Sequence, residues 1–225
     1  MDSKGQAGSL LLLLLMSNLL LCKNVASQTV CPNGNGCRLS LRDLFGRAVI
    51  LSHYIHKLSS EVVQEFDAQY SQGPGFFDEA ISMCHTASIS TPEDKEQAQQ
   101  IPQNDFIILV IRLVRSWTEP LNHLITEANR LPKASNVLIA KALQIQEKSQ
   151  RLLEGLKEIV KLVDPEITDN GDYAVWWGLS SLQSDDLESL LFAYHNMFRC
   201  LRRDTHKVDN YLKFLRCQIA YDGNC

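Results

Sequence analysis

The chain has 225 residues, of which 45% are hydrophobic and 21% are charged, and its formal net charge is −4. This length and composition suit one globular domain, or two, with enough apolar residues to fill a sizeable core. A mildly acidic chain is not typical of nucleic-acid binding, which usually shows a strong basic excess, so we exclude that class.

The first element along the chain is a leucine-rich run at residues 10–21. It is too short to cross a bilayer, which needs roughly 20 apolar residues. Its position and the small residues that follow predict a secretory signal peptide over 1–27, cleaved after Ser27, and a mature domain over 28–225. Cleavage removes two lysines and one aspartate, which changes the charge from −4 to −5. No second long apolar run follows in the sequence, so we expect a secreted, extracellular protein that does not insert into membranes.

Six cysteines remain in the predicted mature domain, and an even number in a secreted chain indicates disulfides. Many pairings are open to six cysteines. Spacing favours two bonds that close short terminal loops and one that ties distant segments together, namely Cys31–Cys37, Cys217–Cys225 and Cys84–Cys200. No Cys-x-x-Cys occurs, so neither a redox motif nor a zinc ribbon is indicated.

The first helix is predicted from a cap at Ser40 to about Tyr70, with apolar residues on one face. An acidic residue three positions after Ser40 resembles a capping box. Residues 71–103 then form a long connection. Within it, Thr91 is predicted to cap a short polar helix that has a proline at its first position.

Three further helices are predicted. The second spans about 104–130, is apolar nearly all round in its first half, and should be kinked by Pro120, which removes a hydrogen bond. The third spans about 137–163. The fourth spans about 184–218 and is capped by its first residue, a serine.

The lengths of the connections predict the topology. The second and third helices are joined by about six residues, which favours antiparallel neighbours, whereas the other two connections are long enough to run back along a helix. The sequence therefore predicts an all-α fold, a long-chain four-helix bundle with up-up-down-down topology and two long crossovers. Because no phosphate-binding, zinc-protease or serine-hydrolase motif occurs, we predict that the chain is not an enzyme.

The fourth helix has two different sides between Cys200 and Cys217. One is an apolar stripe and the other carries polar and cationic residues at steps of three and four. The stripe consists of Leu201, Val208, Leu212 and Leu215, and the other side consists of Arg199, Arg202, His206, Asn210 and Lys213. This pattern predicts one face for the core and one basic face for something outside.

Two histidines and a glycine are candidate functional residues. His53 and His56 lie about 60° apart on the first helix, away from its apolar stripe. They are surface residues, or binding contacts whose charge changes between about pH 5 and 8, or half of a zinc site completed by Asp209 or His206. Gly155 is unusual because glycine inside a helix costs about 1 kcal/mol relative to alanine. Either a neighbour approaches closely there or the glycine is neutral.

Five stretches of the chain closely resemble the growth hormone and prolactin family of helical cytokine hormones. They begin with Leu41-Arg-Asp-Leu-Phe, Leu51-Ser-His-Tyr-Ile-His, Thr91-Pro-Glu-Asp-Lys, Arg151-Leu-Leu-Glu-Gly and Cys200-Leu-Arg-Arg-Asp. The resemblance spans the mature chain with its six cysteines. It implies a secreted hormone that binds a single-pass cytokine receptor of the prolactin-receptor type, pairs two copies of it and so triggers JAK/STAT signalling, with a lactogenic or growth-regulating role.

The resemblance also implies two receptor sites. The first uses the first helix, the end of the first crossover and the fourth helix. Carried over by motif, it comprises His53, His56, His206, Lys207, Tyr211 and Lys213. The second lies in the cleft between the first and third helices, where Gly155 would let a second receptor copy approach. Zinc at the histidine face, held by His53, His56 and Asp209, is the one cofactor that the resemblance raises.

Some residues depart from the family pattern. Trp177 stands where serine is usual, Ser180 stands where proline is common, and Thr205 replaces a usual serine. These departures leave open a placental prolactin-like paralogue with altered receptor preference. A secreted helical carrier is the competing class, and it would need a large apolar cavity.

Overall fold

A computed structural model describes residues 39–78, 83–221 and 223, and no strand occurs within this part of the chain. Its helices are α1 (Leu41–Tyr70), α2 (Lys95–Gln100), α3 (Gln103–Arg115), α4 (Thr118–Thr126), α5 (Asn136–Val163), α6 (Leu179–Leu182) and α7 (Leu187–Leu215). Two 3-10 turns, His85–Ser88 and Ala128–Arg130, and a π-helical turn, Arg216–Ala220, complete them. The predicted signal peptide, Cys31, Cys37 and Cys225 lie outside the described residues.

The first helix begins as predicted. The Ser40 hydroxyl accepts a hydrogen bond from the Asp43 backbone N–H at 3.1 Å, which satisfies one of the free donors of the first turn. The same hydroxyl donates to the Asp43 carboxylate at 2.7 Å. The pair differs from a full capping box because the acidic side chain bonds the hydroxyl and not the cap's backbone N–H.

Contacts near the end of α1 give the directions of the next two long helices. The second bundle helix consists of α3 and α4. The Tyr70 hydroxyl donates to the carbonyl of Pro132, just beyond that helix, at 3.2 Å. The first and second bundle helices therefore end at the same end of the bundle and run parallel. Near the start of α5, Lys141 Nζ lies 3.2 Å from Glu65 Oε2 on α1, so α5 runs back along α1.

Contacts near both ends of α7 show that it also runs antiparallel to α1. His195, near its start, lies 3.4 Å from Asp67 at the end of α1. Asp209, near its end, accepts a hydrogen bond from Ser52 in the first half of α1 at 3.2 Å. Two parallel helices followed by two antiparallel ones confirm the predicted up-up-down-down bundle with two long crossovers.

The second bundle helix is broken, and the prediction of one kinked helix over 104–130 is wrong. Pro120 has no N–H to donate to the carbonyl of Ser116, four residues earlier. His85 Nε2 in the first crossover donates to that carbonyl instead, at 3.0 Å. The Ser116 hydroxyl also accepts from the backbone N–H of Ala174 in the second crossover at 3.0 Å. The helix consequently ends at Arg115, restarts at Thr118, and holds both crossovers at the break.

Two predicted caps are also wrong. α7 is capped by Asp186, whose carboxylate accepts from the Ser189 N–H at 2.8 Å, and not by Ser184. α2 is capped by Asp94, which accepts from Gln97 N–H at 2.8 Å, and not by Thr91. In both cases the carboxylate lies closer to the helix than the predicted hydroxyl, and a charged acceptor is stronger at a helix N-terminus.

The four long helical segments enclose an aromatic and aliphatic core. Its largest fully buried side chains include Phe45, Phe66, Phe106, Tyr194 and Phe198, and each of these phenylalanines stabilises the fold by about 1.5–3 kcal/mol. The first half of the second bundle helix is the buried segment that its sequence predicts. The predicted Cys84–Cys200 disulfide is present, and closing a loop of that length contributes about 4–5 kcal/mol in the chain-entropy model. Cys217 is also disulfide-bonded.

Candidate functional site

The candidate site is built around Asp209, a buried carboxylate of α7 that faces α1. It accepts hydrogen bonds from Ser52 at 3.2 Å and Lys213 at 2.7 Å, and His53 Nδ1 lies 3.3 Å away. Burial by itself raises the pKa of Asp209, but the bonds from Lys213, His53 and Ser52 outweigh it and hold the pKa below its usual range. The buried charge thus orients His53 and Lys213, whose side chains are 64% and 44% exposed.

The second pair of histidines lies beside this cluster. The rings of His56 on α1 and His206 on α7 have centroids 4.9 Å apart. His56 Nδ1 lies 3.4 Å from the Thr205 hydroxyl, and the exposed His206 has its Nε2 3.1 Å from Asn210 Nδ2. Burial, and then the proximity of His206, lowers the pKa of His56. His53, His56 and His206 therefore share one surface across two helices, which helical spacing by itself does not predict.

A stripe along α7 holds the end of the first crossover. Its members, Cys200, Asp204, Lys207 and Tyr211, follow one another at steps of three and four and so lie on one side of the helix. Each of them bonds a residue between Cys84 and Pro92. We call this set the α7 stripe.

The first two members of the α7 stripe are buried. Cys200 forms the disulfide with Cys84. Asp204, 1% exposed, accepts hydrogen bonds from the Thr86 hydroxyl at 2.5 Å and from Trp117 Nε1 at 3.0 Å. Asp204 therefore joins the first crossover, the break in the second helix and α7.

The last two members of the α7 stripe were expected at the first receptor site. Lys207 Nζ donates to the Thr91 hydroxyl at 2.8 Å, and the Tyr211 hydroxyl donates to the Pro92 carbonyl at 2.7 Å. Tyr211 is buried, and burial raises its pKa. Burial also lowers the pKa of Lys207. The structure thus brings His53, His56, His206 and Lys213 together as an outward surface, and it places Lys207 and Tyr211 at its inner edge against the crossover.

The sequence contained a signal for two buried acids, of which Asp204 was not predicted at the site and Asp209 was predicted only as a possible zinc ligand. Asp204 lies between Leu201 and Val208, on the side of the fourth helix that the sequence predicts for the core. A charged residue that is buried there must be paired. Asp209 is likewise buried beside Leu212. Thr91 and Pro92 carried no such signal, because their partners are distant in sequence.

Gly155 lies on α5, which packs against α1. A Cβ added to it would meet no atom within 4 Å. The packing of the chain therefore does not require glycine there, and the space beside it is open.

The zinc interpretation gains no support, and the space within the described bundle core is too small for a carried lipid. Within the described residues, no group of three or more His, Cys, Asp or Glu side chains is arranged to hold a metal ion, and Lys213 occupies an oxygen of Asp209. A space within the bundle core, bordered by Ile55, Leu152 and Leu201, has a volume of about 20 Å³, which is room for about one water and not for a lipid. No helix of the described part is both long and apolar enough to cross a membrane.

A long-chain bundle with two crossovers and a polar surface shared by its first and last helices is the architecture of the helical cytokine class. The family model described as the somatotropin hormone family matches residues 14–225. The chain therefore belongs to the somatotropin hormone family. Hormones of this family bind cytokine receptors.

Proposed function

We propose that this chain is a prolactin-type hormone, secreted from the cell, that binds a receptor of the prolactin-receptor type through the surface formed by His53, His56, His206 and Lys213. The observation that carries the proposal is the convergence of α1 and α7 on Asp209. That buried carboxylate fixes an exposed imidazole and an exposed ammonium group before any partner arrives. Side chains that are held in place lose less conformational entropy on binding.

We propose different roles for Lys207 and Tyr211, the two α7 stripe residues of the expected first site. Lys207 and Tyr211 act on the receptor surface through Thr91 and Pro92, because their polar atoms bond the crossover. The crossover end is thereby held beside His206 on the same helix. We infer that the receptor meets the crossover end and the histidine surface together.

The second receptor copy is assigned to the cleft between α1 and α5 at Gly155. The open space at the glycine Cβ position supports this assignment, because a partner can approach the helix backbone there. Two receptor copies held on one hormone bring their associated tyrosine kinases together. JAK/STAT signalling with a lactogenic or growth-regulating outcome is the proposed result.

One observation favours a second candidate, a placental prolactin-like paralogue with altered receptor preference. Thr205, which replaces a usual serine of the family, lies within 3.4 Å of His56 and therefore at the edge of the binding surface. Compared with serine, threonine adds one methyl group beside the hydroxyl that lies near this ring. Under this alternative the bundle and its surface stay the same, and the preferred receptor differs.

Surface plasmon resonance with an immobilised prolactin-receptor ectodomain tests the proposal. We expect saturable binding of the secreted chain, with an affinity that differs between about pH 8 and pH 6 because histidines titrate in that range. A variant with His53, His56 and His206 all changed to alanine should bind more weakly and lose the pH dependence. No saturable binding at micromolar concentrations would overturn the prolactin-receptor assignment. Binding to another cytokine-receptor ectodomain instead would support the paralogue.

A further inference from the structure

A groove with a volume of about 570 Å³ lies between the two crossovers and α7, and it shares no residue with the histidine surface. Its buried lining includes the Cys84–Cys200 disulfide, His85 and Trp117, and its exposed rim includes Met83 and Trp177. Sites for small molecules usually measure about 300–1,000 Å³. The groove is therefore large enough for a small ligand and open enough to admit one.

The lining of the groove is uncharged and rich in aromatic rings. Its apolar members include Trp117, Trp176, Trp177, Phe192 and Met197, and four serines supply hydroxyl groups. Among the described lining residues there is no Lys, Arg, Asp or Glu. Such a lining favours a neutral molecule with flat rings over an ion.

The His85 ring supplies the lining with a nitrogen that accepts a hydrogen bond. His85 Nε2 bonds the Ser116 carbonyl at 3.0 Å, and because a carbonyl only accepts, Nε2 carries the proton. Burial lowers the pKa of His85, so the ring is neutral near pH 7 and its Nδ1 is an acceptor. Within the described residues Nδ1 has no hydrogen-bond partner, although His85 is only 6% exposed.

The wall opposite α7 is fixed by local packing. Trp176 stacks on His123 with ring centroids 5.6 Å apart and an interplanar angle of 26°. A Cβ on Gly178 would lie 2.7 Å from the Trp176 indole, so only glycine lets the ring lie this close to the backbone. The indole is consequently held in place whether or not a ligand is bound.

We propose that the groove binds a neutral, planar aromatic molecule that carries a hydroxyl group. Its rings stack against the indoles of Trp176 and Trp177, and its hydroxyl donates to His85 Nδ1. This site lies apart from the receptor surface and does not depend on the receptor assignment.

Isothermal titration calorimetry of the secreted chain with three related probes tests the chemistry. We expect saturable binding of 2-naphthol near pH 7. Naphthalene, which lacks the hydroxyl, should bind roughly two- to tenfold more weakly, the usual effect of one hydrogen bond. 2-Naphthoate should bind more weakly than 2-naphthol because the described lining offers no cation. Naphthalene binding as tightly as 2-naphthol, or no saturable binding of 2-naphthol up to its solubility, would overturn the proposal.

Two exposed residues provide a matched pair of variants that leave the core intact. Trp177 and Val175 are 67% and 64% exposed, but only Trp177 lines the groove. Trp177→Ala should weaken 2-naphthol binding roughly two- to tenfold through lost stacking, and Val175→Ala should not change it. Equal losses in both variants would contradict a site in the groove. Trp177→Ala could instead change the oligomeric state without weakening 2-naphthol binding. That result would make the groove an interface with a second copy of the chain and would overturn the proposal. His85 is left unchanged because it also holds the helix break.

Discussion

The imidazole rings of His56 and His206 meet at a centroid distance of 4.9 Å, although they belong to the first and last helices of the chain. The contact exists because α1 and α7 pack against each other in antiparallel directions. One helical turn away on α7, Asp209 contacts Ser52 and His53 of α1. Protonation of both rings would place two positive charges side by side. Burial and then the proximity of His206 lower the pKa of His56, so acid acts against this contact.

The stability of the fold should fall with acid through His56. Burial and His206 lower its folded-state pKa from 6.5, so below about pH 6.5 the unfolded chain binds a proton that the native state still excludes. At higher pH His56 is neutral in both states and does not affect stability. As the pH falls below about 6.5, proton binding by the unfolded chain lowers the free energy of unfolding. His56→Gln should reduce the stability lost between about pH 7.5 and 5.5, measured by urea unfolding. Lys57→Gln, an exposed neighbour, is the control, and an unchanged loss in His56→Gln would contradict this role.

The hydroxyl of Tyr211 should restrain the end of the first crossover. Tyr211→Phe removes its bond to the Pro92 carbonyl and should destabilise the protein by about 0.5–1.5 kcal/mol. Trypsin should then cut faster after Lys95, three residues beyond that bond, because the segment detaches more often. Tyr54→Phe is the control, since its hydroxyl bonds Gln144 on α5 and not the crossover. Equal cleavage rates in both variants would contradict the restraint.

Asp209 should matter for both stability and binding. Asp209→Ala leaves Lys213, His53 and Ser52 without their shared acceptor and should destabilise the fold by about 2–4 kcal/mol. It should also weaken receptor binding in the folded protein, because the side chains that it orients become free to move. Urea unfolding and surface plasmon resonance measure the two effects. Glu154→Ala, at an exposed position of α5, should change stability by less than about 0.5 kcal/mol.

Gly155→Arg should separate the two receptor-binding events. The open space at Gly155 lets the long side chain project outward, so the first binding event and the fold should be preserved. The protruding arginine should prevent the second receptor copy from docking, so signalling in receptor-bearing cells should be lost. Gly155→Ala, which adds one methyl group and improves helix propensity, should retain signalling and gain up to about 1 kcal/mol of stability. Normal signalling by Gly155→Arg would refute the assignment of the cleft.

Hydrophobic periodicity predicted most of the bundle because each long helix buries one continuous side. The bounds of α1 and α5 differ from the prediction by about one residue, and connection lengths gave the topology. The break at Ser116 was not predicted because it depends on a distant donor, His85. Pro120 signalled that a bond was missing, but the sequence could not show which side chain would replace it. The two misplaced caps lie within three residues of the correct ones, where several polar residues compete.

The sequence predicted which helical residues of the candidate site lie off the apolar stripes, but it did not predict how the two helices bring them together. Helical spacing placed His53, His56, His206 and Lys213 off the apolar stripes. Their shared surface depends on the register between α1 and α7, which is set by buried contacts such as the one from Ser52 to Asp209. The same register turned Tyr211 inward to the crossover. A pattern within one helix cannot give these relations because they join residues far apart in the chain.

The packing of α1 against α7 also has a consequence for biosynthesis. The first helix leaves the ribosome early, whereas its main partner is the last long helix to be made. The apolar side of α1 therefore cannot be covered by α7 until nearly the whole chain has been translated, and an uncovered helix face of this kind favours aggregation. Chaperones should therefore be needed most while the final helix is still inside the ribosome.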